Sequence, residues 1–232
     1  MNLKPLLLTG LIASTPIAHA ATVDFTLTNL TQGIYFTPLL ITAHDAQYQL
    51  FNVGQAASDE LAAMAEGGSI DGLVTIADSI SAISVANPAG GLLPPAQSTS
   101  GQMSLDGDYV LSVTAMVLPS NDGFVGLNSW PIPSEPGSYT VYLNAYDAGT
   151  EANNELLVDG GGAPGVLGMP AIPGGLGGSG GSGVTNDEAT QVVHIHRGNL
   201  GDSDNSAGSS DINSRVHRWL NPVAMLTVTV SE

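Results

Sequence analysis

The 232-residue chain has no Cys and sets 4 Lys+Arg against 21 Asp+Glu, a formal net charge of −17. Zero Cys excludes disulfides, thiolate metal sites and cysteine nucleophiles together. The missing basic footprint excludes a nucleic-acid binder and disfavours an anionic membrane surface unless a cation bridges; so acidic a chain suits contact with divalent cations, though plain solubility gives the same balance.

Residues 1–20, "MNLKPLLLTGLIASTPIAHA", read as an export signal. Lys4 precedes an apolar run from Leu6 to Ile12, and Ala18-His19-Ala20 is a small-x-small cleavage site. Cleavage after Ala20 is expected, giving an exported, periplasmic or extracellular chain. No later segment offers eighteen uninterrupted apolar residues, so no transmembrane segment is predicted. Residues 21–232 suit a single domain with one substantial core.

"TVDFTLTN" (22–29) alternates, with Val23, Phe25 and Leu27 on one face, and predicts a half-buried strand. "PLLITA" (38–43) predicts a second. "SDELAAMAEGG" predicts a helix capped by Ser58, with Asp59 and Glu60 in its first turn and Gly67-Gly68 ending it. "SIDGLVTIADSI" from Ser69 suggests a second short helix. "ANPAGGLLPPAQSTSG" reads as a Pro/Gly-punctuated loop. "DYVLSVTAMVLP" (108–119) is apolar on both faces, hence a central strand. "SYTVYLNAYDAG" from Ser138 alternates again. A Gly-rich low-complexity insert, 159–183, is expected as a flexible surface loop within the same domain. "TQVVHIHR" from Thr190 and "VAMLTVTVSE" from Val223 predict two late strands. The pattern is all-β: an antiparallel β-sandwich of about eight strands, with one or two short helices in a crossover.

Two strand ends carry oxygen-rich loops, "PSNDGFVG" (119–126) and "AYDAGTE" (145–151). Ca²⁺ takes about six to eight oxygens from carboxylates, amides and backbone carbonyls on adaptable loops. Asn121, Asp122, Asp147, Thr150 and Glu151 are of that type, while Gly123 and Gly149 permit the turns that wrap backbone around a cation. Asp, Asn and Gly are also ordinary turn formers, so composition leaves both readings open. The spacing is not that of an EF-hand.

"LSVTAMVLPSNDGFVGLNSWPIP" resembles the signature of the spondin N-terminal domain family, and "NAYDAGTE" resembles its Asp-Ala-Gly-Thr-Asp/Glu motif. "TNLTQGIYFTPLLITAHDAQYQLFNVGQAASDELAAMAE" resembles the opening of bacterial members, and "RWLNPVAMLTVTV" their final strand. The likeness runs over residues 22–156 and 190–232, with the Gly-rich insert outside it. It implies an eight-stranded antiparallel sandwich, Ca²⁺ held by acidic loops, and adhesion or recognition of a cell-surface or matrix ligand, protein or glycan, rather than catalysis. Asp122, Asp147 and Glu151 occupy the motifs' acidic positions. Glu151 stands where animal members carry Asp, and their Cys residues near these loops are absent here.

Further segments carry alternative readings. His194 and His196 are spaced to lie on one strand face, as in many transition-metal sites, with His44 or His217 as a possible third ligand of an exported metalloenzyme. Hydrogen-bonded or exposed strand histidines are the ordinary alternative. "GDSDNSAGSSD" (201–211) reads as a solvated loop, its acids out of EF-hand register. Glu155 falls outside the motif and is expected to be solvated. A structural matrix or filament subunit tethered by the Gly-rich insert is a further reading. No Gly-x-Ser-x-Gly, His-Glu-x-x-His or phosphate loop occurs, and 5% aromatic content leaves few rings for stacking on sugars.

Overall fold

Val23, Phe25 and Leu27 are buried along one face of the first strand, while Asp24 between them is exposed. The computed structural model describes residues 21–188 and 190–232; the expected export signal lies outside them. In chain order the elements are β1 (Ala21–Asn29), β2 (Tyr35–Phe36), β3 (Leu40–His44), α1 (Asp59–Gly67), α2 (Asp71–Ser79), β4 (Ile83–Ala86), β5 (Ser98–Leu105), β6 (Val110–Leu118), β7 (Gly123–Pro131), β8 (Gly137–Asp147), β9 (His194–Ile195) and β10 (Ala224–Ser231).

Eight strands follow the hydrogen-bonded path β4-β3-β6-β7-β8-β10-β1-β5; short β2 pairs with β6, and β9 with β8. All the pairings are antiparallel. β8 belongs to both layers of the sandwich. Its first part, Gly137–Leu143, pairs with β10, and its last part, Asn144–Asp147, pairs with β7. Leu27, Leu226 and Val228 of one layer meet Ile41, Val113 and Val125 of the other in a common core. At the far ends of the path, β4 and β5 come into contact, so the two layers nearly close on each other.

The second face of β3-β6-β7 is covered by the helices. Leu61 and Met64 of α1 and Leu73 of α2 pack with Leu40, Met116 and Phe124. This explains why every residue of β6 is buried, as its two apolar faces predicted. α1 starts as expected: the Ser58 hydroxyl accepts the Leu61 N–H at 3.2 Å, and Gly68 closes the helix at φ 75°. Phe51 completes this layer, edge-on to Phe124 at 5.0 Å and tilted on Tyr146 at 5.1 Å.

The sequence reading missed β5 and β7. β5, "STSGQMSL", is polar and begins inside the segment read as a loop. Thr26 and Thr28 of β1 meet Ser100 and Ser98 across the ladder at 2.9 and 2.8 Å, so hydroxyl pairing replaces apolar packing on the outer face. β7 carries Gly123 and Gly126, residues that weaken a strand; Gly126 lies beneath Phe51, whose Cζ is 2.8 Å from where a Cβ would sit. The strand expected from Thr190 is only the two residues of β9.

The 159–183 insert carries one 3-10 turn, Pro173–Gly175, and no strand. It also holds the fully buried Met169, whose N–H donates to the Leu156 carbonyl at 2.9 Å. Further along, the Gly178 and Gly181 N–H groups donate to the carbonyl and carboxylate of Asp211.

Candidate metal centre

The β6–β7 turn and the C-terminal end of β8 share one end of the sandwich. Gly123 lies opposite Asp147 in the β7–β8 register. The ladder continues past it, with the Ala148 N–H donating to the Asp122 carbonyl at 3.1 Å. Asp122 and Asp147 therefore become neighbours although 25 residues separate them. Gly149 makes the following turn possible: its φ is +71°, and a Cβ there would meet the Val192 N at 2.6 Å.

The two loops bond directly. Asp122 Oδ2 accepts the Thr150 N–H at 2.8 Å, the Thr150 hydroxyl at 3.1 Å and the Glu151 N–H at 3.1 Å. Asp147 Oδ1 accepts the Gly149 N–H at 2.8 Å, and its Oδ2 accepts the Asn153 amide at 2.6 Å. Glu151 Oε2 accepts the Gly168 N–H of the Gly-rich insert at 2.7 Å. Two buried carboxylate oxygens, Asp122 Oδ1 and Glu151 Oε1, have no partner. Burial pushes the Asp122 carboxyl up to about 7, with the Asp147 charge adding to the rise. Asp147 and Glu151 are also raised, in each case chiefly by burial.

Asp122 and Asp147, neighbouring buried carboxylates with one orphaned oxygen, Asp122 Oδ1, suit a hard cation. Glu151 turns to the Gly168 N–H and feels the Glu66 charge, and among the described residues its ligand atoms do not converge with theirs within 4.8 Å. Asn121 fits a different role from the expected ligand. Its Oδ1 accepts the Glu155 N–H at 3.0 Å, and its Nδ2 donates to Asn154 Oδ1 at 3.0 Å and Glu151 Oε2 at 3.3 Å. Asn121 thus braces the loop. The Thr150 hydroxyl donates to Asp122, so only its lone pairs remain to offer.

The histidines divide. His194 Nε2 and His196 Nε2 approach Asp147 Oδ2 at 3.9 and 4.0 Å, the shared face that their spacing predicted. His196 is buried against Trp219, with ring centroids 4.9 Å apart, and burial drops its pKa to about 3. Its Nδ1 accepts the Gly198 N–H at 2.9 Å, so the neutral ring carries its proton on Nε2 and has no lone pair there for a metal. Neither suggested third histidine offers a free lone pair. His44 is held between the Asp45 carbonyl and the Ser112 hydroxyl at 2.9 and 2.8 Å. His217 Nδ1 accepts the Asn213 N–H at 3.2 Å, so its buried, partnerless Nε2 carries the proton.

The family model Spondin_N matches residues 23–155, more than half of the chain. The chain belongs to the spondin N-terminal domain family. A search of the curated proteins found no match. Spondin N-terminal domains are typically extracellular and are not a known enzyme family. No helix among the described residues is long and apolar enough to cross a membrane.

The spondin match takes in Asp122, Asp147 and Glu151 and ends at Glu155. Glu155 was expected in solvent, yet it is 3% exposed. Its carboxylate accepts the Leu200 N–H at 2.6 Å, the Gly201 N–H at 2.8 Å and the Ser210 hydroxyl at 2.7 Å. Residues beyond the spondin match therefore fasten to its last residue. In loop 201–211, Asp202 turns to the loop's own backbone, its Oδ2 accepting the Ser209 and Ser210 N–H groups at 2.8 and 2.9 Å, while the Asp211 carboxylate accepts the Leu157 and Gly181 N–H groups at 2.9 and 3.0 Å. Sequence reasoning also missed Asn153, Gly168 and Glu188 around the site. Gly168 and Glu188 are distant along the chain, and no spacing marks them; Asn153 sits two residues past Glu151, where its amide could have been noticed.

Proposed function

We propose that this spondin N-terminal domain is a secreted or periplasmic, non-catalytic module that binds Ca²⁺ and presents a surface for a cell-surface or matrix ligand, protein or glycan. The observation carrying the calcium reading is the partnerless buried Asp122 Oδ1 on a carboxylate that feels the Asp147 charge, with a second partnerless oxygen, Oε1, on Glu151. The buried Asp122 and Asp147 carboxylates repel each other, and a dication removes that repulsion. Asp122, Asp147 and Glu151 would hold the ion, with Thr150 at the rim and Asn121 bracing from behind. The ion would tie the β6–β7 turn to the loop after β8 and stiffen that end of the sandwich.

Extracellular calcium modules bind at roughly 10⁻⁴–10⁻³ M. At about 10 mM Ca²⁺ such a site stabilises the fold by roughly 1.4–2.7 kcal/mol. The test is thermal melting of the purified protein in chelator and in CaCl₂. The expected result is a Tm rise of several degrees that is absent in Asp147→Ala. A Tm that ignores Ca²⁺ across the millimolar range overturns the reading.

A further inference from the structure

Outside the family match, the segment before β9 and β9 itself bring a second set of donors to Asp147. Asp147, Glu188 and His194 each offer a ligand atom, and these atoms all lie within 4.8 Å of one another. Asp147 and His194 face each other in the β8–β9 register, so the backbone ladder itself sets their approach. Glu188 is tied in by the Thr190 N–H, which donates to its Oε1 at 3.1 Å. The three border a cavity of about 220 Å³, together with Asn153 and Arg197.

The imidazole has a fixed orientation. His194 Nδ1 lies 2.8 Å from the Val192 carbonyl, which only accepts, so Nδ1 carries a proton. The neutral ring then turns the Nε2 lone pair toward two carboxylates. Lone pairs converging in this way require a cation between them or a proton on the nitrogen. A backbone carbonyl on the other nitrogen is the usual support of a metal-bound histidine. A second observation points the same way. The buried His196 Nε2–H has no partner and stands 4.0 Å from the same Asp147 Oδ2, so an unpaired polar group also faces the site.

We propose that Asp147, Glu188 and His194 form a site for a transition-metal dication of the zinc class, adjoining the calcium site proposed above and sharing Asp147 with it. One imidazole nitrogen with two carboxylates suits Zn²⁺, whereas an all-oxygen set suits Ca²⁺. Three protein ligands at a cavity leave a fourth position for water or a ligand group. Ligands of one zinc ion sit roughly 3.3 Å apart, given bonds of about 2.0–2.2 Å. Rotation of the half-exposed Glu188 side chain closes the remaining gap. Arg197 does not compete for this position, since its Nη2 donates to the Asn153 carbonyl at 3.0 Å.

The experiment is equilibrium dialysis of the full chain against Zn²⁺ at saturating Ca²⁺, with Co²⁺ as the spectroscopic probe. The expected result is one Zn²⁺ bound, at least about tenfold weaker in His194→Gln and in Glu188→Gln, with the calcium-dependent Tm rise unchanged in both variants. Co²⁺ should give visible absorption bands that His194→Gln abolishes. Asp122→Asn should leave Zn²⁺ binding intact while losing the calcium response, so the two sites fail separately. Zn²⁺ binding that is absent, or equal in wild type and His194→Gln, overturns the proposal.

Discussion

Asp122 Oδ2 accepts the backbone N–H of Glu151 at 3.1 Å, joining the turn before β7 to the loop after β8. The bond uses one oxygen of the carboxylate and leaves the other, Oδ1, buried without a partner. Holding a charge there costs stability unless a cation offsets it.

Asp122→Asn should therefore separate fold stability from cation binding. An Asn oxygen in the place of Oδ2 keeps the loop bonds, and the amide removes the buried charge. In chelator at pH 8 the variant should melt above wild type. In 10 mM Ca²⁺ it should lack the wild-type gain of about 1.4–2.7 kcal/mol. Calorimetry in both buffers reads the two effects; a variant less stable than wild type in chelator would contradict the charge argument.

The pH dependence is led by two opposed groups, with Asp147 and Glu151 shifted in the same direction as Asp122 and His217 in the same direction as His196. Asp122, raised to about 7, holds a proton in the folded state that the unfolded chain has already released. Its stabilisation is full below the ordinary carboxylate range and is lost as pH rises through about 7. His196, lowered to about 3, stays neutral when folded, so its contribution is present above the ordinary histidine range and is lost as pH falls. Between about pH 4 and 6.5 the slopes oppose each other in chelator. Asp122→Asn should expose the histidine slope, giving a Tm that climbs more steeply with pH than that of wild type. The calcium-dependent gain of wild type should grow from pH 5 to 8 as the raised carboxylates ionise. Parallel Tm-against-pH curves for wild type and variant would contradict this assignment.

Glu155 tests the attachment of the C-terminal part. Glu155→Ala strands the Leu200 and Gly201 N–H groups and the Ser210 hydroxyl. The expected loss is about 3 kcal/mol or more, or roughly 6–12 °C in Tm for a domain of this size. The calcium-dependent Tm rise should persist. Denaturant unfolding checks the magnitude, and a loss below about 1 kcal/mol would show that solvent replaces the clamp.

Gly149→Ala tests the turn. The residue sits at φ +71°, with the Val192 N 2.6 Å from a Cβ position. Strain alone costs about 1–3 kcal/mol, and the contact adds to it. Because the displaced backbone leads into β9, Zn²⁺ binding should weaken along with Ca²⁺ binding. Titration of both ions against this variant reads the coupling.

Much of the fold lay in local pattern. β1 alternates, β6 is apolar on both faces, and Ser58 with Gly68 brackets α1; each is a short-range property that sequence states directly. The Asp-Ala-Gly-Thr-Glu stretch likewise announced a tight turn with acids around it. β5 and β7 were hidden because hydroxyl pairs and glycines take the place of an apolar face.

The sequence by itself determined an all-β sandwich with acids gathered at two strand ends, because side-chain alternation and turn chemistry act over a few residues. Only the tertiary structure decided which oxygens those acids leave free. It buried Glu155, turned Asn121 into a brace, brought Glu188 to Asp147 and set the protons of His194 and His196 on opposite nitrogens. Those outcomes depend on which backbone N–H or carbonyl each side chain meets, and such partners are fixed by how β8 passes from one layer to the other, at separations that no local pattern records.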